Sequence, residues 1–115
     1  MAVLENCSPS RVFHYFEEIT KIPHGSGNTQ AISDYLVDFA KDHGLEYVQD
    51  HLGNVVIYKN GTAGYEQSPT VILQGHMDMV CEKRADVAHD FLKDGLNLSV
   101  TEDGYVTANG TTLGG

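Results

Sequence analysis

Several features that define whole classes of protein are scarce or absent in this 115-residue chain. It has no tryptophan, and its seven Lys and Arg residues stand against sixteen Asp and Glu residues. The resulting formal charge of −9 repels phosphate backbones and anionic lipids, which argues against nucleic-acid and membrane-surface partners. No apolar run approaches the roughly 20 residues that cross a bilayer, and the segment after Met1 does not resemble a signal peptide.

Cysteine is also scarce, with only Cys7 and Cys81 in the sequence. Two cysteines so far apart do not form a disulfide framework, so we expect reduced thiols and a cytoplasmic location. The hydrophobic fraction of 41% is enough for a core, and no repeat or linker divides the chain. The composition therefore predicts one domain over residues 1–115.

Local patterns predict an α/β layer architecture. A first helix is expected from Ser8, as its cap, and Pro9 to just before Pro23, and a second from Thr29 to Gly44. Strands are expected at 45–48, 55–58, 70–74, 98–101 and 105–108, the last two as a hairpin. The run at 70–74 is almost wholly apolar, which is typical of a central strand buried on both faces.

The segment after this run carries the residues with the clearest chemical potential. His76 and Asp78 are two positions apart, so in an extended chain they face the same side with their roots about 7 Å apart. A carboxylate there can hold the second ring nitrogen of a metal-ligating histidine. His-x-Asp alone is a weak signal, and the alternative is a strand-end histidine hydrogen-bonded to a nearby carboxylate.

The sequence around His76 and Asp78 resembles that of a known family. Residues 71–80, VILQGHMDMV, are similar to the metal-binding strand of the M20 metallopeptidases, and in particular of the aminoacyl-histidine (Xaa-His) dipeptidases. Four further segments resemble that family in the same order along the chain: 16–24, 50–55, 89–94 and 111–114.

The resemblance implies the N-terminal part of a zinc-peptidase catalytic domain, a three-layer α/β/α sheet, without the lid domain. It implies a dipeptide substrate such as Xaa-His, two zinc ions in a complete active site, and a full-length protein able to form a homodimer. By the same resemblance, His76 is a ligand of one zinc. Asp78 is a catalytic residue that orients His76 and modulates the charge of the metal.

Other residues of the family pattern are not found in this sequence. The bridging Asp that follows the Thr-Thr-Leu-Gly stretch in the family is absent after Gly114, and so is the downstream Glu-Glu pair that supplies the general base. Glu17 and Glu18 do not replace that pair and are expected on the solvated face of the first helix. A catalytic zinc usually has three protein ligands, so we expect this chain to be inactive alone. The alternative is a non-catalytic domain that keeps the fold and binds a peptide or partner.

The remaining candidates have ordinary structural interpretations. We expect His24 to be an exposed loop histidine, His51 to belong to a turn, and His89 beside Asp90 to lie apart from the metal site. Cys81 is expected to be a small buried residue.

Overall fold

The computed structural model describes residues 2–114, and the chain divides into two compact units. The first unit runs to Ile32 and resumes at Met77, and the second covers Ser33–His76. No helix within residues 2–114 combines the length and apolar character needed to span a membrane. The elements, in chain order, are α1 (Ser10–Thr20), α2 (Gln30–Asp42), β1 (Glu46–Gln49), β2 (Val55–Tyr58), β3 (Leu98–Val100) and β4 (Val106–Ala108).

Helix α1 begins slightly later than the sequence predicts. Pro9 is the N-cap residue, with an extended backbone (φ −72°, ψ 131°), and no side chain caps this end of the described helix. The predicted Ser8 cap is therefore wrong, because the extended conformation of Pro9 postpones the first helical turn. The carbonyl of Pro9 accepts the first helical hydrogen bond, from the Phe13 N–H.

The buried face of α1 contains a charged residue that the sequence places on the surface. Glu17 is only 6% exposed, and its carboxylate accepts hydrogen bonds from the backbone N–H groups of Val3 (3.1 Å) and Leu4 (2.6 Å). Leu4 is itself 2% exposed. The expected solvated face is thus wrong for Glu17, because its carboxylate satisfies two backbone donors of the segment before the helix. Glu18 remains at the surface in an ion pair with Lys21.

Strands β3 and β4 form the predicted hairpin in the first unit. They are antiparallel, with Leu98 opposite Ala108 and Val100 opposite Val106. Gly104 has a φ of +88°, the left-handed conformation that the connecting turn requires. The hydroxyl of Ser99 also contacts Thr107 across the hairpin, at 3.0 Å.

The second unit contains a further hairpin, built from the strands predicted at 45–48 and 55–58. Gly44 ends α2 with a φ of +64°, which confirms the expected left-handed terminus. Strands β1 and β2 are antiparallel, and their turn is tied to α2 by the fully buried Ser33, whose hydroxyl donates to the Gly53 carbonyl at 2.6 Å. Gln49 donates to the Ser33 hydroxyl at 2.8 Å, so β1 is held at the same point.

The turn between β1 and β2 is organised by one carboxylate. Asp50 accepts hydrogen bonds from the backbone N–H groups of Leu52 and Asn54, both at 2.9 Å, and from the Asn54 side chain at 2.8 Å. The side-chain hydrogen bond from Asn54 is the main cause that lowers the pKa of Asp50 from its ordinary value of 3.8.

This hydrogen bonding predicts how the turn responds to acid. Because the pKa of Asp50 is lower in the folded chain, the unfolded chain binds the proton first. The contribution of Asp50 to stability is therefore complete above pH 3.8 and is lost as the pH falls through the folded pKa. NMR titration of the Asp50 carboxyl group should show a rise in its pKa in the Asn54→Ala variant. An unchanged pKa would contradict this assignment.

The predicted central strand at 70–74 is not formed. No residue of this run belongs to a strand within the described part of the chain, and Val71, Ile72 and Leu73 are 80%, 84% and 93% exposed. The expectation of burial on both faces is wrong here, because a strand needs ladder partners and residues 2–114 supply none to this run. The strands that do form are two separate antiparallel pairs, so the three-layer α/β/α arrangement is not confirmed.

Candidate functional site

A short parallel pairing brings the loop after α1 to the segment that carries Asp78. Met79 is the centre of this pairing, and it is 5% exposed. Its N–H donates to the His24 carbonyl at 3.0 Å, and its carbonyl accepts from the Ser26 N–H at 3.2 Å. Gly25 and Met79 thus form an isolated parallel bridge. Sequence periodicity did not reveal this contact, because it does not show which distant segments pair.

The loop also reaches the predicted catalytic residue through a side chain. The Ser26 hydroxyl donates to Oδ2 of the half-buried Asp78 at 2.6 Å. This length is typical of a hydrogen bond from a hydroxyl to an ionised carboxylate. The sequence does not distinguish Ser26 as a functional residue, since a serine between two glycines is ordinary loop composition.

His24 is buried rather than exposed. It retains 2% of its accessible surface, with Nδ1 2.6 Å from the Ile22 carbonyl oxygen and Nε2 3.2 Å from the Gly114 carbonyl oxygen. The expected exposed loop histidine is therefore wrong, because the ring fills the space between its own loop and the segment at 111–114. His24 thus connects two of the segments that carry the family resemblance.

The stretch at 111–114 contacts the same region from another direction. Thr111 and Lys83 form an antiparallel bridge, and the Thr112 N–H donates to the Glu82 carbonyl at 2.9 Å. The Thr112 hydroxyl donates to the Val80 carbonyl at 2.6 Å. Segments 22–26, 77–83 and 111–114 are therefore assembled side by side in the first unit.

Tight packing fixes the middle of this assembly. Gly25 is buried, and a Cβ atom added there would lie 2.6 Å from the Cys81 Sγ atom. Cys81 is half-buried rather than fully buried, and its Sγ lies 3.7 Å from the Met79 carbonyl oxygen. The thiol thus occupies the volume that the missing side chain of Gly25 leaves open.

This packing makes position 25 sensitive to a single methyl group. We expect Gly25→Ala to lower the free energy of unfolding in urea by about 1–3 kcal/mol, because overpacking forces Cys81 or the loop to move. The double variant Gly25→Ala/Cys81→Ala should recover most of this loss. Gly75→Ala is the matched control, since nothing within 4 Å would meet its Cβ. Equal effects at positions 25 and 75 would contradict this interpretation.

The predicted metal ligand lies at the end of the second unit. His76 is exposed, and it is the last residue of that unit, whereas Asp78 belongs to the first. His89 packs edge-on against Phe91 at 4.5 Å, and Asp90 accepts the Leu92 N–H in a local turn, which gives both residues structural roles.

The donor set is too small for a zinc centre. Residues 2–114 contain no group of three or more His, Cys, Asp or Glu side chains that could hold a metal ion. Imidazole and carboxylate are suitable zinc donors, but a catalytic zinc takes three protein ligands. The described residues of this chain therefore do not fit a complete zinc site.

Comparison with known proteins identifies similar enzymes. The chain is 40% identical over 114 residues to the cytosol non-specific dipeptidase of Escherichia coli strain K12, which covers 99% of this chain and 23% of that protein. The crystal structure of aminoacylhistidine dipeptidase from Vibrio alginolyticus matches with a TM-score of 0.91 and 39% identity, over 96% of this chain and 22% of that one. No family model matches.

These similarities agree with the motifs at 71–80 and 111–114. The chain spans less than a quarter of the length of the two dipeptidases that it matches. Over nearly its whole length, the chain is therefore similar in sequence and in fold to a segment of the aminoacyl-histidine dipeptidases of the M20 family, as the motifs predict.

Proposed function

We propose that this chain is the N-terminal part of the catalytic domain of a zinc-dependent dipeptidase. The complete protein hydrolyses dipeptides, with Xaa-His among its substrates. The observation that carries this proposal is the 40% identity to a dipeptidase across 99% of the chain. Because the chain spans only 23% of that relative, the activity is proposed for the complete protein.

The proposal includes the finer architecture of the domain. We place residues 1–115 in the N-terminal part of one catalytic domain of three α/β/α layers, whose lid is formed by other residues. Support comes from Val71, Ile72 and Leu73, whose side chains are 80–93% exposed and would lose this apolar surface within a sheet. The name of the Escherichia coli relative supports a cytosolic location, and a homodimer is the proposed assembly.

Within that enzyme, we assign His76 as a ligand of one of two zinc ions. Asp78 is assigned as the residue that orients His76. The imidazole and carboxylate chemistry and the two-residue spacing support these assignments. Since residues 2–114 hold no cluster of three donors, the proposal assigns the other ligands and the general base to further residues of the complete protein.

The test is an assay of the protein expressed from the complete reading frame that contains this sequence. Hydrolysis of Xaa-His dipeptides is measured with and without a chelator, and again after zinc is restored. We expect chelator-sensitive hydrolysis by the complete protein and none by the 115-residue chain, which is the matched control. Absence of hydrolysis with every divalent metal tried would refute the proposal and favour a domain that binds a peptide or partner without cleaving it.

A further inference from the structure

We infer that Ser26 is a positioning residue of this enzyme, whose hydroxyl fixes the orientation of the Asp78 carboxylate. The inference rests on the proposed dipeptidase function, because it gives Ser26 a role in that reaction. Its direct basis is the 2.6 Å hydrogen bond from the Ser26 hydroxyl to Oδ2 of Asp78, which joins residues 52 positions apart in the sequence.

The backbone on both sides of this hydrogen bond is held in place. The Ser26 N–H donates to the Met79 carbonyl at 3.2 Å, and Met79 directly follows Asp78. On the other side, the Met79 N–H donates to the carbonyl of His24 at 3.0 Å. Because these bonds fix the loop against the segment that carries Asp78, the fold places the Ser26 side chain beside the Asp78 carboxylate.

The loop itself is a closed turn built around two glycines. The Asn28 N–H donates to the Gly25 carbonyl at 2.8 Å, and Gly27 has a φ of +80°, which L side chains rarely adopt. Gly25 lies against the Cys81 thiol with no space for a Cβ atom. The sequence Gly-Ser-Gly therefore serves to present one hydroxyl at a defined place.

The chemistry of the contact suits a positioning role. A hydroxyl donates to a carboxylate oxygen without adding charge, and hydrogen bonds to ionised groups are stronger than neutral ones. With Oδ2 engaged by Ser26, rotation of the Asp78 carboxylate is restricted before any substrate binds. Such preorganisation raises kcat when the oriented group acts in the transition state.

The experiment compares three variants of the complete protein in the Xaa-His assay. We expect Ser26→Ala to lower kcat about tenfold with little change in KM, and Ser26→Thr, which keeps the hydroxyl at an exposed position, to restore kcat. Ser99→Ala is the control, because it also removes a serine hydroxyl that forms side-chain hydrogen bonds, to Thr107 at 3.0 Å and to Asn109 at 3.1 Å, but in the β3–β4 hairpin.

A double-mutant cycle tests whether Ser26 acts through Asp78. In the Asp78→Asn background, Ser26→Ala should cause no further fall in kcat. The effect of Ser26→Ala on the equilibrium constant for unfolding in urea should also differ by at least about twofold between the parent and the Asp78→Asn variant. This measurement does not depend on activity.

Each other outcome has a definite meaning. If the parent is active and Ser26→Ala leaves its kcat unchanged, this inference is overturned and the proposed function is not. The same holds if Ser26→Ala lowers kcat equally in the parent and in the Asp78→Asn background. Failure of Ser26→Thr to restore kcat overturns the role of the hydroxyl. A parent protein without hydrolysis overturns the proposed function and the positioning role together.

Discussion

Replacing His76 by Ala in the complete protein is expected to lower kcat/KM for Xaa-His dipeptides by more than about a hundredfold. Even outer-shell partners of metal ligands change metal affinity or activity by about 10–100-fold, and the loss of a ligand should exceed that range. Because His76 is exposed, its replacement removes little buried surface, and the variant and the parent should share an unfolding midpoint when both are measured without metal. The measurement is steady-state hydrolysis together with the zinc content of the purified protein.

The control for this prediction is a second exposed histidine of the same unit. His51 lies in the turn between β1 and β2, and His51→Ala should leave both kcat/KM and zinc content within about twofold of the parent. Loss of activity in both variants would indicate a general effect of removing surface imidazoles. Full activity in His76→Ala would remove His76 from the metal site and, with it, the main site residue proposed for this chain.

The parts of the fold that the sequence predicts well are those determined by nearby residues. Helix α2 is followed by Gly44 in the left-handed conformation, the four strands form close to their predicted positions, and β3 and β4 form the predicted hairpin. In each case the turn chemistry and the apolar period act within a dozen residues. Local physical chemistry is then sufficient, because the pairing partners are consecutive along the chain.

The incorrect predictions concern contacts between distant residues. The run at 70–74 has the composition of a buried strand, but burial depends on partner strands and layers that this segment does not have within residues 2–114. His24 and Glu17 have no special pattern in the sequence. Each is nevertheless buried and forms hydrogen bonds with backbone groups from elsewhere in the first unit. Such satisfaction of buried polar groups depends on the fold and leaves no periodic signal.

The sequence predicts the candidate site residues His76 and Asp78, but it does not predict which distant segments pack around them. His76 and Asp78 are adjacent to the strongest apolar run, so motif and context identify them together. The loop at 24–26 is different, because its role appears only when Met79 pairs with Gly25 and Ser26 reaches Asp78. The family-like segments at 16–24 and 111–114 therefore lie against the segment that carries Asp78, through His24 and Thr112.

The buried carboxylate of Glu17 provides the second large prediction. Glu17→Ala is expected to lower the free energy of unfolding by about 2–4 kcal/mol, because it removes a charged acceptor from the N–H groups of Val3 and Leu4. The substitution would also remove the hydrogen bond that holds the backbone of Leu4 against α1, although the Leu4 side chain is buried at 2% exposure. Urea unfolding monitored by circular dichroism measures the change, and amide exchange at Leu4 should accelerate.

Two neighbouring substitutions separate this effect from the general cost of altering α1. Glu18→Ala removes only a surface ion pair with Lys21 at 3.0 Å, and it should cost less than about 1 kcal/mol. Glu17→Gln keeps one acceptor oxygen and should fall between the parent and Glu17→Ala. If Glu17→Ala and Glu18→Ala destabilise equally, the carboxylate of Glu17 does not anchor the N-terminal segment. If Glu17→Ala lowers the free energy of unfolding more than Glu18→Ala does, Glu17 has a structural role. The sequence pattern of α1 indicates only a solvated face at that position.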